Sequence, residues 1–148
     1  MALKNGLLLD THAWVWLRAG TLVSAPENLD IIRKAAEASN WFVSSFSLSE
    51  IAHAVSRNRL ALDRPILKWF QDSLRPPGPR IIEITPAIAA ATLQLPASFQ
   101  GDPGDRILAS TAITENLILC THDDLLLRFG KQGLFQTLKV SEMKEKHA

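Results

Sequence analysis

The chain has 148 residues, of which 47% are hydrophobic and 21% charged, and this composition predicts one soluble globular domain with a sizeable core. One cysteine excludes an internal disulfide and a cysteine-based metal site, and no leader or membrane-length apolar stretch is evident, so we expect a cytoplasmic protein without a membrane segment. The formal net charge of +1 does not by itself indicate a nucleic-acid-binding protein.

Short apolar runs at five places predict strands, and the first and fourth of these are apolar enough to be buried on both faces. Strands that alternate with helices predict an α/β domain with a mainly parallel central sheet of four to five strands. The crossover rule then places the C-terminal ends of the strands at one edge of the sheet. In chain order the predicted strands are Leu7–Leu9, Trp41–Val43, Ile81–Ile84, Leu117–Cys120 and a weak Thr137–Val140.

Caps and prolines between the strands predict where the helices begin. A proline-rich break at residues 76–79 is predicted to be an internal loop, because neither half of the chain is large enough for a core of its own. We therefore expect one domain over residues 1–148, with a charged tail that frays from about residue 142. The predicted helices start after Asp10 and near Pro26, Ser45, Pro65, Pro86, Asp105 and Leu125.

Acidic residues recur just past the predicted strands or at the predicted helix starts. Taken singly, each has a structural explanation as a helix cap, a partner of the helix dipole or part of an Asp-Pro turn. Capping accepts Ser, Thr, Asn or Asp, so it explains poorly why four segments bring acids to the same edge of the sheet. These acids are Asp10, Glu50, Asp102, Asp105, Asp123 and Asp124.

Several carboxylates at one edge repel one another and need a cation among them. Because neither His nor Cys completes the set, oxygen ligation favours a hard cation, Mg²⁺ or Mn²⁺. One or two such ions activate a water, orient a phosphate and stabilise the leaving oxygen of a phosphodiester. The pattern therefore predicts metal-dependent hydrolysis of phosphodiester bonds.

Four acidic segments follow one another along the chain: Leu-Leu-Leu-Asp10-Thr-His-Ala-Trp-Val-Trp-Leu, Ser47-Leu-Ser-Glu50-Ile-Ala, Gly101-Asp102-Pro-Gly-Asp105-Arg-Ile-Leu-Ala-Ser-Thr-Ala and Cys120-Thr-His-Asp123. They closely resemble the acidic motifs of PIN-domain ribonucleases, particularly the VapC-type toxins of bacterial toxin–antitoxin pairs. The resemblance spans residues 7 to about 140. It implies a three-layer α/β/α sandwich, cleavage of RNA with Mg²⁺ or Mn²⁺, a homodimer, and a cognate antitoxin protein whose C-terminal segment covers the acidic pocket.

The resemblance also assigns roles to the acids. Asp10, Glu50, Asp105 and Asp123 match the four catalytic acids of the family, and Asp102 matches an additional acid of one branch. All five are expected to bind the metal. We favour Asp105 over Asp102 as the closer ligand, because Asp105 immediately precedes a helix of small residues.

Three neighbouring residues are expected to support the acids. Thr11 and Thr121 resemble hydroxyl positions that orient carboxylates or water, although ordinary caps are the alternative. Arg106 is expected to pair with a neighbouring acid rather than with RNA. Ser49 departs from the family pattern, since many relatives carry a bulky residue such as Trp before the second acid.

Other polar residues receive weaker expectations. Arg57, Arg59 and Arg64 are candidates for RNA contacts in a local basic concentration, although a solvated helix face has the same appearance. His12, two positions after Asp10, is interpreted as a polar residue of the first helical turn, because a two-ion mechanism needs no histidine. His122 is given no role, since strand alternation would point it away from Asp123.

Two further interpretations stay open. One is a PIN-like scaffold that binds RNA or protein without cutting, which the intact set of acids disfavours. The other is an α/β phosphatase, whose chemistry needs a second aspartate two positions after the first, where this chain has His12. The common serine-hydrolase, phosphate-loop and dinucleotide-binding motifs do not occur in the sequence.

Overall fold

Five short strands pair side by side, all parallel, in the computed structural model, which describes residues 5–144. They are β1 (Leu7–Leu9), β3 (Trp41–Ser44), β4 (Arg80–Ile82), β5 (Ile118–Thr121) and β6 (Thr137–Lys139), in the spatial order β4-β3-β1-β5-β6. A separate antiparallel pair joins β2 (Leu22–Val23) to β7 (Ser141–Glu142). The predicted parallel sheet is therefore confirmed, with β1 at its centre.

Helices cover both faces of this sheet. Leu7 and Leu9 face one hydrophobic cluster, while Leu8 between them faces a second cluster on the other side. All three side chains are fully buried, as expected for a strand enclosed on both faces. This arrangement confirms the α/β/α sandwich. The helices are α1 (Thr11–Ala19), α2 (Pro26–Glu37), α3 (Ser45–Ser56), α4 (Ile66–Leu74), α5 (Pro86–Ala91), α6 (Pro103–Thr114) and α7 (Asp124–Lys131), and a short 3-10 turn, Thr92–Gln94, follows α5.

The helix that leads into β5 begins earlier than predicted. The sequence pattern predicts that this helix begins at Asp105, whereas α6 begins at Pro103 with Asp102 as its N-cap. Asp102 accepts a hydrogen bond from the backbone N–H of Asp105 at 2.8 Å, and Asp105 accepts one from the backbone N–H of Asp102 at 3.3 Å. This reciprocal cap, with proline at the first helical position, moves the start by two residues.

The chain near residue 142 is paired where the sequence predicted fraying. Glu142 lies opposite Leu22 in the β2–β7 pair, and the backbone N–H of Met143 donates to the carbonyl of Thr21 at 2.7 Å. Two-residue strands are too short for a periodic pattern, so neither β2 nor β7 was predicted from the sequence. Residues 145–148 of the predicted tail lie outside the described residues. Within residues 5–144, no helix is long and apolar enough to cross a membrane.

The proline-rich break is an internal loop that packs back on the sheet. The indole N–H of Trp41 in β3 donates to the carbonyl of Pro77 at 3.1 Å. Nearby, the buried Trp14 of α1 donates its indole N–H to the hydroxyl of Ser73 in α4 at 2.6 Å. Its ring also lies 5.0 Å from the ring of Trp69. The Trp14–Ser73 bond therefore joins α1, which carries the start of the site described below, to α4.

We expect Ser73→Ala to lower the free energy of unfolding by about 1–3 kcal/mol, because it leaves the indole N–H of buried Trp14 without an acceptor. Ser49→Ala is the matched control, since Ser49 is exposed and should change stability by less than about 0.5 kcal/mol. Urea unfolding of both variants measures the difference. Equal effects of the two substitutions would show that the Trp14–Ser73 hydrogen bond does not contribute measurably to the free energy of unfolding.

Candidate active site

Asp10 is the buried centre of the candidate site, directly after β1, and only 4% of its surface is exposed. Its Oδ1 accepts a hydrogen bond from the backbone N–H of Ala13 at 2.7 Å and thereby caps α1. Its Oδ2 accepts a hydrogen bond from the hydroxyl of Thr121 at 2.5 Å. Because both oxygens are held, the orientation of this carboxylate is fixed by two neighbouring elements of the fold.

Glu50 accepts a hydrogen bond from a hydroxyl of α1, which a hydroxyl of α3 supports in turn. The hydroxyl of Thr11 donates to Glu50 Oε1 at 2.6 Å and lies 2.8 Å from the hydroxyl of Ser47. Since the proton of Thr11 is engaged by Glu50, Ser47 is the donor in the second bond. Glu50 lies in the second turn of α3, which begins at Ser45 as predicted. Thr11, predicted to support an acid, therefore contacts Glu50.

Burial raises the pKa of Glu50, and the hydrogen bond from Thr11 opposes this increase. The negative charges of Asp102 and Asp10 raise this pKa further. Glu50 is thus near enough to two other acids of the predicted set for their charges to affect its ionisation.

The pKa of Asp105 is raised for the same reasons. Burial raises it from the ordinary 3.8 to about 6, with further contributions from the charges of Asp102, Asp123 and Glu50. Gly104, the residue before Asp105, lies close to Glu50, since a Cβ atom there would be 2.9 Å from Glu50 Oε2. The second and third acidic segments are therefore in close contact, and a side chain at position 104 would have to displace the end of Glu50.

The backbone of Asp123 is connected to Asp10 through the hydroxyl of Thr121. The hydroxyl of Thr121, which donates to Asp10, also accepts a hydrogen bond from the backbone N–H of Asp123 at 3.0 Å. Asp123 Oδ1 in turn accepts from the backbone N–H of Leu126 at 3.0 Å and caps α7. One hydroxyl at the end of β5 therefore connects the first and the fourth acidic segments.

His122 lies beside Asp10, although the sequence analysis gave it no role. Its Nδ1 is 3.8 Å from Asp10 Oδ2, and the neighbouring carboxylate raises the pKa of this imidazole. The ring packs edge-on against Trp16 and His12, with centroid distances of 4.7 and 5.0 Å. Strand alternation misplaced His122 because β5 ends at Thr121, so the period of two no longer applies one residue later.

Arg106 does not form the ion pair that was expected of it. Within residues 5–144 its guanidinium is in no salt bridge, and it donates instead to the carbonyls of Phe99 at 3.2 Å and Thr92 at 3.3 Å. One position after Asp105 on a helix, the side chain points about 100° away from that acid and towards the loop before α6. Arg106 therefore fixes this loop rather than an acid.

The three arginines suggested for RNA contacts lie in different surroundings. Arg64 is engaged by Asp63 at 2.9 Å and by Asp72 at 2.7 Å. Arg57 caps the C-terminal end of α3, and Arg59 follows it. At about 1.5 Å of rise per residue, Arg57 lies about 10 Å further along the helix axis than Glu50.

The donor set suits a hard divalent cation. The five acids supply only oxygen, and burial together with the charges of neighbouring acids raises the pKa values of Glu50 and Asp105. Among residues 5–144, no three Asp, Glu, His or Cys side chains already form a group that could hold a metal ion. The structure therefore brings together carboxylates that influence one another, without a finished coordination shell.

We expect Asp105→Asn to stabilise the protein at pH 7 in chelator. A raised pKa means that the folded state loses stability as the pH rises from about 3.8 to about 6, since the unfolded chain ionises more readily. After allowance for solvent screening, the gain should be about 1 kcal/mol at pH 7 and absent near pH 3.5. Thermal unfolding at both values measures it, with the exposed Glu83→Gln as the control for a lost charge. Equal destabilisation at both pH values would contradict the repulsion.

Known proteins with similar sequences and structures agree with this architecture. The sequence profile of the PIN domain matches residues 7–132. Ribonuclease VapC22 of Mycobacterium tuberculosis is 34% identical over 119 residues, which are 79% of this chain and 86% of that protein. Two crystal structures share the fold: VapBC2 from Rickettsia felis bound to a promoter DNA fragment, and DNA-bound VapBC from Salmonella typhimurium.

The Rickettsia structure has a TM-score of 0.67 and 18% identity, and the match covers 91% of this chain and 98% of that one. The Salmonella structure has a TM-score of 0.63 and 17% identity, and the match covers 92% and 98% of the two chains. At these identities the two structures support the fold alone. Together with the match over residues 7–132 and the 34% identity to Ribonuclease VapC22, the four acidic motifs lead to one conclusion: this chain belongs to the PIN-domain family.

Proposed function

We propose that the protein is an endoribonuclease of the VapC type, the toxin of a toxin–antitoxin pair, and that it hydrolyses RNA with Mg²⁺ or Mn²⁺. The observation that carries this proposal is that acids from all four segments meet at one edge of the sheet. Thr121 connects Asp10 to Asp123, Thr11 holds Glu50 beside Asp10, and Gly104 brings α6 next to Glu50. The similarity to a protein named Ribonuclease VapC22 supports RNA as the substrate.

The five acids Asp10, Glu50, Asp102, Asp105 and Asp123 are the proposed ligands, and the bound cation would supply Lewis-acid activation of a water and of the phosphate. Of the adjacent pair, we favour Asp105 as the closer ligand. Its ionisation responds to the charges of both Asp123 and Glu50. Thr121 and Thr11 hold Asp10 and Glu50 in fixed orientations, so their carboxylates need little reorganisation during the reaction.

Proton release should accompany binding of the cation. The raised pKa values of Asp105 and Glu50 mean that a fraction of these carboxyls is protonated in mildly acidic solution, and a ligating carboxylate must be deprotonated. Activity should therefore rise with pH through about 6, the pKa of Asp105.

The proposed partners follow from the same relatives. Similar folds occur in structures described as VapBC bound to DNA and as a toxin–antitoxin complex from Klebsiella pneumoniae, the latter with a TM-score of 0.51. We propose a cognate antitoxin protein and a homodimer for this chain as well, acting on RNA in the cytoplasm. A phosphatase gains no support, because His12 packs its ring against Trp16 and His122 where that chemistry needs a second carboxylate.

We expect the purified protein to cleave single-stranded RNA in Mg²⁺ or Mn²⁺ and to lose this activity in excess chelator. Asp10→Asn should reduce cleavage by about 100-fold or more, because even the loss of an outer partner of a metal site costs 10- to 100-fold. The amide can still accept from the N–H of Ala13, so circular dichroism should show an intact fold. Glu83→Gln, an exposed acid outside the site, should cleave like the wild type.

Cleavage in chelator, or undiminished cleavage by Asp10→Asn, would contradict the metal-dependent mechanism. RNA binding without any cleavage under all conditions would favour the non-cutting scaffold instead.

A further inference from the structure

A basic groove adjoins the acidic site on the side of β6. It has a volume of about 550 Å³ and lies between α7 and the edge strand of the sheet. Three cationic side chains, Arg128, Lys131 and Lys139, line it together with a single acid, Asp124. All three cationic residues are exposed, so the groove presents net positive charge to the solvent.

In the part of the chain that the structure describes, the three groove cations are free of ion pairs with acids. Five other basic side chains are neutralised in this way, namely Arg33, Lys34, Arg64, Lys68 and Arg75. An unpaired cation can contact a phosphate without first breaking an internal ion pair, and the α7–β6 groove has three.

The groove begins where the acidic site ends. Lys139 lies opposite Thr121 in the register of β5 and β6, about 4.8 Å away, and paired residues of parallel strands face the same side of the sheet. Thr121 is the residue whose hydroxyl holds Asp10. On the other wall, Asp124 directly follows Asp123, and Arg128 and Lys131 lie four and seven residues further along the same helix face.

The packing of α7 on β6 fixes the shape of the groove. A Cβ atom at Gly130 would lie 2.5 Å from the Cγ2 atom of Thr137, so the helix touches the strand at this point. The carbonyl of Lys139 is capped by the hydroxyl of Ser24 at 2.5 Å and approached by the side-chain amide of Asn28 at 3.4 Å. Because this backbone acceptor is engaged, it is not available to a ligand in the groove.

We propose that the α7–β6 groove binds the phosphate backbone of single-stranded RNA and aligns it with the carboxylates. This inference rests on the proposed function. An edge with five acids repels a polyanion, so the affinity for RNA has to come from free cations close by. Lys139 is the strand partner of Thr121, and Arg128 lies one helical turn from Asp124, so the groove adjoins that edge.

The test measures RNA binding as a function of salt, in the Asp10→Asn background so that the RNA stays intact. Fluorescence anisotropy of a labelled single-stranded RNA gives the dissociation constant between 50 mM and 500 mM NaCl. The variant Arg128→Gln/Lys131→Gln/Lys139→Gln should make the slope of log K against log salt shallower by about 2, since each phosphate contact on a single strand contributes about 0.7. Lys131→Gln alone should change the slope by about 0.7.

Arg18→Gln/Arg80→Gln is the matched control, because it removes two exposed cations outside the groove. Its slope should equal that of the parent protein. An unchanged slope in the groove variants, an equal loss in the control, or absence of RNA binding by the parent would overturn the proposal. Tighter binding of a poly-glutamate peptide than of RNA at the same residues would also overturn it, since the groove would then serve an acidic polypeptide.

Cleavage by the protein with Asp10 intact, assayed in parallel, separates this inference from the proposed function. Cleavage together with an unchanged slope would contradict the RNA-binding role of the groove but not the nuclease activity. A groove-dependent slope without cleavage contradicts the nuclease activity and leaves the groove as an RNA-binding surface.

Discussion

The carboxylates at the carboxyl edge of the sheet repel one another, and the surrounding helices are arranged so that they partly offset this repulsion. Three of the acids, Asp10, Asp102 and Asp123, are the N-caps of α1, α6 and α7. The positive ends of three helix dipoles therefore face the acidic edge and partly offset its charge. Capping and metal binding are compatible roles here, because capping is what delivers these carboxylates to one place with fixed orientations.

Negative and positive charges occupy separate, neighbouring regions at this end of the sheet. Acids dominate the edge where β1 and β5 end, and free cations dominate the adjoining α7–β6 groove. The net charge of +1 conceals this separation, which explains why composition alone gave no indication of nucleic-acid binding. For a protein that cuts RNA, such a division places attraction for the backbone next to the carboxylates that are proposed to bind the cation.

The sequence predicted features that depend on local chemistry. Buried strands follow from unbroken apolar runs such as Leu7–Leu9, and the cap at Asp10 follows from an acid directly before a helical pattern. Contacts that depend on tertiary neighbours could not be predicted from the sequence. Arg106 bonds to carbonyls of a loop and of a 3-10 turn, and His122 meets Asp10 only because β5 ends one residue earlier. Likewise, no sequence pattern distinguishes the paired Arg64 from the unpaired Lys131.

Direct titration of Mn²⁺ into chelator-treated protein tests the central claim, that the carboxylates of the four segments form one cation site. We predict saturable binding by calorimetry at pH 7.5 and a strong loss of affinity in Asp10→Asn and in Asp105→Asn, with Glu83→Gln unchanged. Near pH 6, the pKa of Asp105, binding should also release protons. Binding of equal affinity by Asp10→Asn and the wild type, or no binding by the wild type, would contradict it.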